Sequence, residues 1–185
     1  SAFARHSQGI RMSSTRHSQT PAIIPADLVH FNAAGWHQLC DALSVPADHA
    51  VRQRFDEVQA AYAEPWRHYH TAQHINECLT AWSAVRAQLK APACVALAIW
   101  LHDLVYAPKA KDNEAQSAAL TRAWWRGALP DGQLTTVCAW IEATQAHEAA
   151  PHDADLQALL DIDLAILAAE PTRFAQYEAQ VAREY

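Results

Sequence analysis

The chain has 185 residues, about half of them hydrophobic, with a formal net charge of −6 and only four glycines. One domain with a substantial buried core is the expectation, and abundant alanine with scarce glycine favours helices over a turn-rich β architecture. The acidic balance and the scattering of cations outside the N-terminal tail argue against a nucleic-acid partner. Cys40, Cys78, Cys94 and Cys138 lie far apart and form no CxxC pair, so they read as reduced core residues of a cytoplasmic protein. The longest apolar run, 91–101, is too short to cross a bilayer, and the N-terminus has no continuous apolar signal segment.

Taken in order, residues 1–24 are polar and without periodicity. Met12 is the sole methionine, so residues 1–11 read as an expression-derived leader and 1–24 as a disordered tail; His6 and His17 are set aside with it. Residues 25–185 read as a single all-α domain. Helices are predicted over 26–44, 47–62, 71–90, 92–106, 112–127, 131–147, 153–168 and 171–185, with prolines at or near their boundaries, where a missing N–H does least harm. The chain stops at Arg183-Glu184-Tyr185 without a capping signal, so more helix is expected to follow.

Helical phase exposes an anomaly in three of these elements. In the third, His74 shares a stripe with Cys78, Ala81, Val85 and Leu89. In the fourth, which is apolar nearly all round, His102 continues Val95, Ala98 and Leu101, and Asp103 follows directly. In the seventh, Asp163 shares a face with Leu156, Leu159, Leu160 and Leu167, while Asp161 falls beside Gln157 and Ala165. Polar ligand-type side chains on inward faces are costly to bury unless something pairs them. A shared divalent metal, which accepts both imidazole and carboxylate, would explain all of them together.

His70 lies four residues before His74, on the same side of the predicted helix start, with Thr71 as its expected N-cap. His68 points elsewhere by phase, and Arg67 reads as an exposed residue flanking the helix. The loop 106–114 follows the His-Asp pair, so it should line the mouth of any site there. Within it Asp112 is the expected N-cap and Glu114 an acid in the first turn; Lys109 and Lys111 read as solvated. His147, near a predicted helix C-terminus, and His152 after Pro151 are further candidates. Trp66 and Tyr106 are candidate pocket walls, and the other tryptophans read as core.

The pattern His74, His102-Asp103, Asp163 resembles the HD superfamily of metal-dependent phosphohydrolases, whose signature is a His, an adjacent His-Asp and a distant Asp on separate helices. More narrowly, Arg67-His68-Tyr69-His70-Thr71-x-x-His74, Leu101-His102-Asp103-x-Val105-Tyr106, Asp112-Asn113-Glu114-x-x-Ser117-Ala118 and Leu160-Asp161-x-Asp163-Leu164-Ala165-Ile166-Leu167 resemble a bacterial subgroup of predicted HD phosphohydrolases, over about 62–185. The His70-x-x-x-His74 spacing is also similar to that of cyclic-nucleotide phosphodiesterases, where the first histidine donates a proton and the second binds metal.

The resemblance implies an HD-like bundle of seven to eight helices, with His74, His102, Asp103 and Asp163 as ligands of a divalent ion (Mn, Fe, Zn, Ni or Mg). It makes His70 the general acid, with Glu114 or Asp112 as base or water-orienting group, and Asp161 the rival for the last ligand position. It also places a histidine near position 147 in the cavity. The implied substrate is a small phosphorylated compound, a nucleotide foremost; no membrane partner is implied, and a homo-oligomer is left open. Two other functions fit the same ligands: a di-iron oxygenase, which needs more histidines than His147 and His152, and a non-catalytic, metal-stabilised ligand-binding module.

Overall fold

The computed structural model describes residues 30–185; the predicted tail, 1–24, and the first residues of the predicted first helix lie outside them. Among the described residues there are eight α-helices and no strand: α1 (Ala33–Ala42), α2 (Phe55–Tyr62), α3 (Ala72–Val85), α4 (Pro92–Leu101), α5 (Asn113–Trp125), α6 (Asp131–Ala143), α7 (Ala154–Asp163) and α8 (Pro171–Glu184). The all-α architecture expected from composition is the one observed. No helix among the described residues is long and apolar enough to cross a membrane.

α4 organises the bundle. Pro92 opens it with a residue that lacks the N–H a first turn cannot use, and every residue from Cys94 to Leu101 is buried. A short helix that is apolar all round has no solvent face to offer, so it must be surrounded. It packs against α1, α3, α5, α6 and α7. Beside it Trp36 meets Trp100 at 5.5 Å and Trp125 at 5.7 Å, both edge-on, while Phe31 stacks on Trp100 at 4.9 Å. Each such large side chain contributes about 1.5–3 kcal/mol on burial.

The helices are shorter than periodicity predicts, and the difference matters for the site. The predicted helix 92–106 ends at Leu101, with His102 as its C-cap, and 153–168 ends at Asp163 before a 3₁₀ turn over Ala165–Ala168. Leu167, expected on the buried face of α7, is 57% exposed, because the change of helix type after Asp163 breaks its phase. The predicted helix 47–62 divides into a 3₁₀ turn over Ala50–Gln53 and α2. α8 packs over the 3₁₀ turn after α7, tied to α3 by Arg173–Glu77 at 2.9 Å.

Candidate metal centre

Three helix ends converge. His74 enters in the first turn of α3, His102 and Asp103 leave the C-terminus of α4, and Asp163 is the last residue of α7. Two helix C-termini, where carbonyl dipoles favour positive charge, thus deliver the carboxylates. The His74 Nε2 atom lies 3.3 Å from His102 Nε2, 3.0 Å from Asp163 Oδ1 and 3.5 Å from Asp103 Oδ2. His102 Nε2 lies 3.0 Å from Asp103 Oδ2 and 3.1 Å from Asp163 Oδ1.

These separations fit atoms that share an ion. Ligands about 2.1 Å from a common centre sit about 3.0 Å apart at octahedral corners and about 3.4 Å at tetrahedral ones. The second ring nitrogen supports the same conclusion. His102 Nδ1 lies 2.8 Å from the Ile99 carbonyl, an acceptor only, so Nδ1 carries the hydrogen and the neutral ring turns a lone pair on Nε2 toward two carboxylates. That arrangement is repulsive unless a cation or a proton lies between. Buried His, Asp and Cys groups here can hold a metal ion: His74, His102 and Asp103 form one such set, and His74, Cys78 and Asp163 an overlapping one. Burial opposes the charge on each side chain, yet Asp103 and Asp163 raise the pKa of His102 well above the usual imidazole value. Burial would likewise raise both aspartates, and the facing His102 charge holds them below the usual carboxylate range instead.

His70 is not on α3. It precedes the helix, and Thr71, at the N-cap position, makes no side-chain capping bond. What fixes His70 is Glu184, a residue the sequence reading does not single out. The Glu184 carboxylate is fully buried; Oε1 accepts the backbone N–H groups of His68, Tyr69 and His70 at 2.8, 2.7 and 3.0 Å. Oε2 accepts His70 Nδ1 and the Tyr106 hydroxyl, each at 2.7 Å. Burial alone would raise the Glu184 pKa, but the bonds from His70 and the backbone bring it down to about 2. For His70 burial lowers the pKa, and the Asp103 charge with the Glu184 bond outweighs it, so the ring is held protonated above its ordinary range. Its other face stacks on Tyr106 at 4.1 Å.

The signal for Glu184 was present in the chain. Phe174, Tyr177, Val181 and Glu184 follow the 3.6-residue period, so the acid replaces an apolar residue on the inward face of α8, as Asp163 does on α7. Arg67 is a correction of a similar kind. Expected to be exposed, its guanidinium is fully buried against Glu64 at 2.8 Å and donates to the carbonyls of Asp103 at 2.6 Å, Leu104 at 2.9 Å and His70 at 3.2 Å. It pins the turn carrying His70 to the turn carrying Asp103.

His70, His74, His102, Asp103, Glu114, His147 and Asp163 line one cavity of about 210 Å³. His147 Nε2 lies 2.8 Å from Asp163 Oδ2, and its backbone is left-handed at φ 53°. That conformation costs a non-glycine residue about 1–2 kcal/mol; the bond to Asp163 first, and the Asp163 charge, raise its pKa. Other expectations are not brought together here. Asp112 is exposed, makes no N-cap bond, accepts from the Gln116 side chain at 2.8 Å and does not line the cavity. Asn113 braces that loop instead, bonding both polar groups of Ala107. Asp161 is exposed beside Gln157. Lys109, Lys111, Trp66 and Tyr106 lie outside the lining, although Tyr106 backs the His70 ring and the Trp66 indole donates to the Tyr106 carbonyl at 2.9 Å. His152 faces a separate open groove of about 400 Å³ with Lys90, Trp140 and Asp155, whose Asp155 carboxylate already accepts two backbone amides.

Comparison with family models, with curated proteins and with solved structures finds no match for this chain.

Proposed function

We propose that this chain is a metal-dependent phosphohydrolase of HD type, acting on a small phosphorylated compound, with a nucleotide as the first class to assay. The observation that carries the reading is the convergence of His74, His102, Asp103 and Asp163, with contacts of 3.0–3.5 Å among their ligand atoms, inside a cavity that also holds a carboxylate-oriented histidine. A divalent ion bound to those four residues would supply charge neutralisation for a phosphoryl group and acidify a water.

The protein's own groups divide the remaining work. His70, protonated and aimed by Glu184, holds the proton that a leaving oxygen needs. Glu114, half-buried in the first turn of α5 and lining the cavity, is placed to orient the attacking water. His147 holds the outer oxygen of Asp163, leaving the inner one for the ion. At an ion that takes five or six ligands, four protein ligands leave positions open for water and substrate, as catalysis requires; at a tetrahedral ion they would fill the sphere. Beside this cluster the described residues add two imidazoles, His70, whose Nδ1 is taken by Glu184, and His147, whose Nε2 is taken by Asp163; we read this as favouring one ion over the pair an oxygenase would use. The four cysteines are buried and unpaired among the described residues, and we propose a cytoplasmic location on that basis.

The test joins elemental analysis of the purified protein with initial rates on a panel of phosphate esters under each candidate ion. Bound divalent metal with metal-dependent phosphate release supports the reading. Tightly held metal with no turnover on any ester would leave a metal-stabilised binding module.

A further inference from the structure

We propose that the site takes a phosphomonoester with a single phosphoryl group and a flat, apolar organic part, and discriminates against polyphosphates; this rests on the phosphohydrolase reading above. The cavity has two unlike halves. One half of its lining is the imidazole and carboxylate cluster, and the other is Leu164, Ile166, Leu167 and Tyr177. Leu164 and Leu167 are 38% and 57% exposed, large apolar side chains left in water in and just before the turn that follows Asp163. Paired exposed leucines at the rim of a polar site offer apolar area that a ligand can cover.

Charge supplies the independent observation. Among the described residues no lysine or arginine lines this cavity. Arg67 is engaged by carbonyls and Glu64, and Arg173 by Glu77. Asp103, Asp163 and Glu114 already add negative charge. One divalent ion beside these three acids would offer a single charged anchor, enough for one phosphoryl group. A triphosphate would bring further anionic charge with no fork of cationic donors to receive it. The lining holds no asparagine or glutamine, and the Thr144 hydroxyl already donates to the Ile141 carbonyl, so beyond the tyrosine hydroxyls the edge of a nucleobase finds little to read. In the reaction a water oxygen forms the new P–O bond and the ester P–O bond breaks. His70 gives its proton to the leaving oxygen, and the proton released by water restores it.

The experiment uses the metal-loaded chain and two readouts. Initial rates are compared for 1-naphthyl phosphate and ATP, and binding of non-hydrolysable 1-naphthylmethylphosphonate and methylphosphonate is followed by calorimetry. We expect kcat/KM for naphthyl phosphate to exceed that for ATP at least about tenfold, and Leu167→Asp or Leu164→Ser to raise KM for it about tenfold. The same variants should weaken the naphthyl phosphonate but not methylphosphonate. Equal or better use of ATP overturns the proposal, as does naphthyl binding indifferent to both leucines. If no ester is hydrolysed yet the naphthyl phosphonate binds through the leucines, the ligand class stands and the hydrolase reading fails.

Discussion

At His70 two carboxylates act in different ways: Glu184 touches the ring and aims it, while Asp103 adds charge from the ligand cluster. His70→Asn should keep metal and fold yet lose about 10²–10⁴-fold in turnover, the usual contribution of a placed acid. Turnover at the wild-type rate on a confirmed substrate would move the proton role to Glu114. Glu184→Gln removes part of what holds His70 protonated, so the alkaline limb of the rate profile should shift to lower pH with metal content unchanged. A purely structural Glu184 would lower activity without moving that limb. Glu184 also predicts acid sensitivity. Its folded pKa lies below its ordinary value of 4.5, so the stabilisation is full above that value and disappears as pH falls from about 4.5 to about 2. Melting curves across this window should show a steeper decline for wild type than for Glu184→Gln.

At the scale of elements, α3, α4 and α7 are joined through ligands rather than through a continuous apolar seam at this point. An ion bound there would act as a clasp between them, and its removal by a chelator should lower the melting temperature. Binding at a hundred times the dissociation constant stabilises by about 2.7 kcal/mol, or very roughly 5–10 °C in a chain of this size. A melting temperature indifferent to chelator in metal-loaded protein would contradict the clasp. Protons compete for the same atoms: His102 is held protonated when no cation replaces the proton, so metal affinity should rise with pH, measured by competition with a calibrated chelator. The three stripes that carried His74, His102 and Asp163 were legible because each broke an otherwise apolar face. Asp112 misled because an acid before a helix is so often its cap, whereas here Gln116 takes its carboxylate. The burial of Arg67 could not be read, since beyond the local pair with Glu64 its partners are backbone carbonyls three and some thirty-six residues away, and carbonyl positions leave no trace in residue type.

At the scale of the molecule, the all-α class and the order of eight helices followed from periodicity and proline punctuation. The helix ends did not, and the site is built from those ends. The core around α4 leaves little room for relaxation, so Leu97→Ala, at a fully buried position, should cost about 2–5 kcal/mol by thermal or denaturant unfolding. The bond between His70 and Glu184 spans 114 positions, which has a consequence for how the protein comes into being. On the ribosome His70, His74, His102, Asp103 and Asp163 all emerge before Glu184. Under the function proposed above, a nascent chain can therefore gather its ligand cluster while the proposed proton donor still lacks its guide, and the site is complete only when the last turn of α8 docks.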